Sequence, residues 1–300
     1  MKPCFLLFLL PLNTSLFAQP APKKQLAQAD LVAWKRIENP LISNNGNWVA
    51  YTLKAEEGDP VLQLWNAETG KTYTVDRGEE AAFTADNQYL IFKIRPHQDS
   101  LKAMRRRDVK KEDLTKDSLC ILTLSTTALV KIPNVKSFAV PEKWSGWVAI
   151  HKEIEKPDTS KTVKPAPVDS LKLVAAMAVV PDTSLAKSKQ PEGKPEPKKK
   201  PKKEGKDNGT KLIFRELATG KEQVVPFAKD FRLAKEGQRI LLASTGNDST
   251  WLPGVYLFDC ASQSFKPMFR QKGEFKQLAL DEKGSQIAFF ANLDTMKAQV

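Results

Sequence analysis

Histidine is nearly absent from the 300 residues, at two, and cysteine is scarce, at three. His97 and His151 show no metal-ligand spacing with each other or with a cysteine, which excludes the common zinc and haem patterns. Both fall where strands lead into insertions, a position that predicts solvated loop histidines rather than general bases. Cys4 lies in the first few residues, and Cys120 and Cys260 stand 140 residues apart inside strand-like runs. Two cysteines make no disulfide scaffold. An oxidising compartment could join them, but each reads more simply as a small buried apolar side chain.

Catalytic spacing is missing as well. Serine hydrolysis on a tight turn needs Gly-x-Ser-x-Gly, which occurs nowhere, and there is no glycine-rich loop to cradle phosphate. The carboxylate pairs Glu56-Glu57 and Glu79-Glu80 read as polar turns with nothing converging on them. The sequence therefore assigns no catalytic, cofactor-binding or metal residue and implies no cofactor.

No apolar run approaches the roughly 20 residues that a membrane-spanning helix needs. The start is instead laid out as a secretory signal: Lys2, an apolar run over residues 5–10, a break at Pro11 and Asn13, then Leu16-Phe17-Ala18 with the small Ala18 before the cleavage point. Residues 1–18 are read as signal peptide and 19–30 as linker, so an exported, periplasmic or extracellular protein is expected. The net charge of +12 is concentrated in two segments. Residues 152–209 carry 14 Lys against 9 acidic residues, and residues 102–111 carry six basic residues, including Arg105, Arg106 and Arg107, against Asp108. The remainder has no basic stripe interleaved with aromatics, so nucleic acid is not an expected partner. The arginine cluster is read as a solvated loop.

What the chain does have is a period. Turns followed by apolar strands recur at Ser43-Asn44-Asn45-Gly46-Asn47-Trp48-Val49-Ala50-Tyr51, then at copies whose last aligned positions are Phe92, Ile150, Leu242 and Phe289. The steps are 41, 58, 92 and 47 residues, and removing residues 157–207 reduces the step of 92 to 41. A repeat of ~40–45 residues with four strands per unit is the mark of propeller blades. The expected fold is all-β: a WD40-like β-propeller of about five repeats over residues 31–300, the last incomplete. In the first repeat, Asn45-Gly46 is read as a two-residue hairpin turn. Trp48 and Ala50 point one way and Val49 and Tyr51 the other, as befits a strand sandwiched between blades. An open β-sandwich with irregular strand spacing is the alternative fold.

The insertions all fall between the second and third strands, at about residues 52–61, 93–118 and 151–210. Residues 157–207 hold eight of the 20 prolines and a lysine run, a composition that predicts disorder. The apolar island over residues 171–180 is read as a stretch without a partner, with docking as the other possibility. Closing a loop of this length costs only ~2 kcal/mol more than a short turn, so the insertion should be dispensable.

The opening segment, Asp30-Leu31-Val32-Ala33-Trp34 through Ile37, Pro40 and Ile42-Ser43 to Trp48-Val49-Ala50-Tyr51, resembles the start of exported prolyl oligopeptidase family (S9) serine peptidases. The turn often written Ser-Pro-Asp-Gly in that family is Ser43-Asn44-Asn45-Gly46 here. The resemblance covers residues 31–300 and implies a propeller that restricts entry to short peptides, followed by an α/β-hydrolase domain carrying Ser, Asp and His. None of those catalytic residues, nor the acidic residues that hold a substrate amino terminus in dipeptidyl peptidases, has a counterpart here. The expectation is thus the substrate-gating propeller of a secreted serine peptidase, with its catalytic domain beyond Val300. The alternative is a free-standing periplasmic propeller that binds proteins or envelope polymer.

Overall fold

The computed structural model describes residues 34–154, 208–246 and 251–294, together with Gln25, Ala27 and Asp30. The signal peptide, Cys4, most of the linker, the insertion at 157–207 and its apolar island lie outside the described residues.

Among the described residues, seventeen strands run in chain order through antiparallel sheets. The first four, β1 (Lys35–Ile42), β2 (Trp48–Ala55), β3 (Val61–Asn66) and β4 (Thr72–Asp76), form one sheet. A second sheet holds β5 (Gly78–Phe83), β6 (Tyr89–Ile94), β7 (Ser118–Thr123) and β8 (Leu129–Ile132). A seven-stranded sheet follows: β9 (Val135–Ala139), β10 (Trp147–Lys152), β11 (Thr210–Glu216), β12 (Glu222–Leu233), β13 (Arg239–Ser244), β14 (Gly254–Asp259) and β15 (Ser264–Arg270). A two-stranded sheet, β16 (Glu274–Leu280) with β17 (Ile287–Asn292), completes the described fold.

The seven-stranded sheet is two blades sharing one strand. The amino-terminal half of β12 pairs with β11 as a fourth strand, and its carboxyl half pairs with β13 as a first strand. The bend lies at Pro226-Phe227, where Pro226 has no N–H for the ladder and Phe227 has φ 56°. The same left-handed residue passes the chain from blade to blade elsewhere, at Arg77 (φ 63°) and Asn134 (φ 56°). At each of the three, the carbonyl accepts the N–H just past the next blade's second strand: Arg95 to Arg77 at 3.0 Å, Glu153 to Asn134 at 2.8 Å, and Thr245 to Phe227 at 3.0 Å.

Alternation along the strands makes the blades stack. Leu90, Phe92 and Ile94 of β6 join Ala50, Leu62 and Leu64 in a core between blades one and two. Ile91, on the opposite face of β6, joins Val148, Ile150 and Ile213 between blades two and three. Trp147 and Ala149 then meet Leu242 and Phe258 between blades three and four, while Leu241 and Leu257 meet Phe275 and Leu278 between four and five. A period of two with both faces apolar therefore produces four interblade cores from five blades. The strands β10 and β13 are buried almost throughout, as expected of second strands. The expected orientation of β2 also holds, with Trp48 and Ala50 facing blade two.

The turn of the first repeat differs from expectation. Asn44 to Asn47 form a four-residue loop in which only Gly46 has positive φ, at 74°. Ser43 closes it: its Oγ accepts the Trp48 N–H at 3.0 Å and donates to Asn45 Oδ1 at 2.7 Å, and its carbonyl accepts the Gly46 N–H at 2.8 Å. Blade two repeats this with Thr84, Asp86, Asn87 (φ 58°) and Tyr89, and blade five with the Asp281 carboxylate accepting the Gln286 N–H at 2.8 Å. Four residues before each of these turns sits a left-handed residue in a bulge, Asn39, Glu80 or Gln277, where two residues oppose one on the second strand.

The turns of neighbouring blades touch. Asn44 Nδ2 donates to the Ala85 carbonyl at 3.1 Å, Lys143 N to that of Lys235 at 3.2 Å, and Glu236 N to that of Glu282 at 2.8 Å. Gly237 has no room for a side chain, because a Cβ would stand 2.0 Å from the Lys283 carbonyl oxygen. First strands also meet, β1 with β5 and β12 with β16, which places them innermost. The insertions leave from the opposite end of the blades, between the second and third strands as expected. In blade two that insertion is not all loop: it forms helix α1 (Gln98–Arg106) and one 3-10 turn at Lys111–Asp113.

Candidate functional site

At the insertion end, the second strands finish in residues that the repeat places in register, polar in blades two and three and apolar in blade four. Lys93, His151 and Ala243 each lie one residue beyond the aligned positions Phe92, Ile150 and Leu242. Lys93 is 5% exposed and His151 4% exposed, although both sit at the ends of strands leading to insertions. Lys93 Nζ donates to the Lys136 carbonyl at 3.1 Å, and His151 Nε2 lies 3.2 Å from the Ala228 carbonyl. Lys136 and Ala228 both lie at the start of the first strand of the next blade, one residue apart in register, Ala228 matching Val135. Each side chain thus staples its blade to the next by bonding a neighbouring backbone oxygen. In blade four the pair becomes apolar, Ala243 against Phe275.

This corrects the expectation for His151, which is a buried strand residue. Burial, then the nearby Lys136 cation, push its pKa down from 6.5 to about 4 against the opposing pull of the Ala228 carbonyl and Asp230. The ring is neutral at pH 7 with its proton on Nε2, since a carbonyl can only accept. Phe231 meets the ring edge-on at a centroid distance of 6.0 Å. The folded pKa lies below the unfolded one, so the stabilisation is complete above pH 6.5 and is lost as pH falls through about 4. Over that window the loss should reach about 3 kcal/mol. Denaturant titrations at pH 7.5 and across the acid range should show a steeper loss for the native protein than for His151→Gln; equal slopes would contradict this. His97 matches its expectation: it is exposed, in the loop before α1, with Nδ1 3.0 Å from Asp59 Oδ2.

Lys93 also organises charge. Glu79 and Glu80 lie in the innermost strand β5, not in a polar turn, and cations converge on them. Lys93 Nζ is 2.8 Å from Glu80 Oε2, Arg95 pairs with Glu79, and a second Arg95 nitrogen is 3.8 Å from Glu80 Oε1. The positive φ of Glu80, 50°, is the bulge that turns two successive carboxylates toward the second strand. Asp117, just before β7, completes the group; burial raises its pKa, opposed by Lys93 and Arg95 and reinforced by Glu80 and Glu153. Arg95 and Glu80 are about half-exposed, so polar groups of a chain entering here could exchange with this network. Glu79 and Glu80 are each matched by a cation at short range, which suits recognition better than proton transfer. A cavity of about 150 Å³ opens at the same end between blades four and five, lined by Lys229, Ser244, Thr245, Glu274 and Phe275.

The remaining singled-out residues lie apart from this group. Glu57 is exposed, and Glu56, also exposed, lies 3.8 Å from Arg36. Cys120 and Cys260 are free thiols in different interblade cores, with pKa values pushed up to about 12 by burial. Among the described residues, no group of three or more His, Cys, Asp or Glu could hold a metal ion, and no helix is long and apolar enough to cross a membrane.

No family model matches the sequence, and no curated protein matches it. The fold is similar to that of solved propellers. An acylaminoacyl peptidase from Pyrococcus horikoshii matches at 12% identity and a TM-score of 0.42, over 89% of this chain and 37% of its own. The β-propeller domain of the Trilobed protease from Pyrococcus furiosus matches at 12% identity and 0.41, over 87% of this chain and 65% of its own. TolB from Acinetobacter baumannii matches at 11% and 0.36, over 84% and 48%. The chain spans little more than a third of the acylaminoacyl peptidase's length. Prolyl endopeptidases and the Swd1 β-propeller domain are among the similar structures as well.

Proposed function

We propose that this propeller is the substrate-gating domain of an exported S9 serine peptidase that acts on short peptides, its Ser, Asp and His carried by an α/β-hydrolase domain following Val300. The observation that carries the reading is the charged group at the insertion end, where the largely buried Glu79 and Lys93 and the half-exposed Glu80 and Arg95 form a paired network at the innermost strand β5. Such a network can hold the termini and amides of an extended chain and offers no nucleophile of its own. The opening segment through Trp48-Val49-Ala50-Tyr51 and the signal-like first 18 residues support the family and the export route.

The reading is tested with the gene product purified from its native source. It should hydrolyse peptides of a few residues and leave the same cleavage site intact inside a folded domain. Equal cleavage of both would overturn gating, and absence of any peptidase activity would leave a free-standing binding propeller.

A further inference from the structure

Helix α1 and the turn after it carry six basic residues, Lys102, Arg105, Arg106, Arg107, Lys110 and Lys111, against four acidic ones, Asp99, Asp108, Glu112 and Asp113, with the arginines grouped at the end of the helix. All six are exposed, and none forms an ion pair with a described residue. Helix-dipole compensation accounts for cations in the last turn, Arg105 and Arg106, but not for Lys102, one turn earlier, or for Lys110 and Lys111 beyond the helix. No residue of α1 is fully buried, and the half-buried Leu101 and Met104 leave its cations on exposed positions that packing does not fix.

The helix is nevertheless held in place. Asp59, from the blade-one insertion, accepts the Gln98 N–H at 2.9 Å and pairs with His97 at 3.0 Å. Gln98 Oε1 accepts the Gly58 N–H at 3.2 Å in return. These bonds, 39 and 40 residues apart in sequence, anchor the start of α1 across two blades at the insertion end. The cations are thus displayed from a fixed support.

We propose that this face is a docking surface for acidic peptide segments. Three consecutive guanidiniums suit bidentate pairing with side-chain carboxylates. Lipid headgroups fit less well: an interfacial helix needs exposed bulky apolar residues, whereas Leu101, Met104 and Val109 are half-buried. Nucleic acid fits less well too, since residues 95–117 contain no Phe, Tyr or Trp on which a base could stack. The surface acts on its own and does not depend on the peptidase reading.

The test is fluorescence anisotropy of labelled octaglutamate with the full chain at low salt, compared with octaglutamine and with phosphatidylglycerol vesicles. The expected result is binding of octaglutamate alone, weakening as salt rises, and a loss of about tenfold or more in affinity on combining Arg105→Glu, Arg106→Glu and Arg107→Glu. The exposed positions leave the fold intact in this variant, which near-ultraviolet circular dichroism verifies. Unchanged affinity in the variant would overturn the proposal by assigning the binding to the lysine-rich insertion. Failure to bind octaglutamate, or binding of vesicles in its place, would overturn it as well.

Discussion

Replacing Phe214 by Ala should lower the unfolding free energy by about 4 kcal/mol, the middle of the range for aromatic truncation in a core. Phe214 is fully buried on β11 and stacks on Phe258 at 4.9 Å and 18°, and Phe258 in turn meets Trp147 edge-on at 5.5 Å. These rings come from blades three and four, which share β12, so the void would open where a single sheet must bend to serve both. Collapse into the void is restrained by the strands on either side, which keeps the cost high. Against a typical total of 5–15 kcal/mol, such a loss takes a large share of the stability. Urea unfolding of the purified chain checks it: a midpoint shift with an unchanged slope is expected, and a loss below about 1 kcal/mol would show that the interblade core is loosely packed.

The second large effect is at Lys93. Lys93→Met should cost about 3 kcal/mol, because it leaves Glu80 only the more distant Arg95 at 3.8 Å and leaves the Lys136 carbonyl without its donor. The figure is the low end for breaking a buried pair, since the Glu80 side chain is 46% exposed and partly hydrated. The variant should also raise the pKa of Asp117 further, as Lys93 is the first of the charges opposing its burial. Adding Glu80→Gln should restore part of the loss, and the double-mutant cycle should show favourable coupling between the wild-type side chains. Purely additive effects would mean that Lys93 acts through its carbonyl bond alone.

The blades were legible because their turns carry chemistry in the sequence. Ser43 and Thr84 repeat the same three bonds at the same offset, and Gly46, Asn87 and Gly284 mark the left-handed position. The insertions were legible because composition changes abruptly beside regular strands. Lys93 and His151 were not legible as staples, since the carbonyls they reach belong to first strands 43 and 77 residues away. A polar residue at a strand end looks solvent-bound until its neighbour blade is known. Glu79-Glu80 looked like a turn because the bulge interrupts the alternation that identifies a strand. The fusion of blades three and four through β12 was hidden for a related reason: Pro226 reads as a strand end, whereas here it marks a bend within one strand.

The most direct measurement of the functional account is fluorophosphonate labelling of the native gene product followed by mapping of the labelled peptide. The account predicts one labelled serine, located after Val300, and no labelling or hydrolysis of chromogenic peptides by residues 19–300 expressed alone. A native product that carries no label, or a label on a serine within these residues, would contradict it.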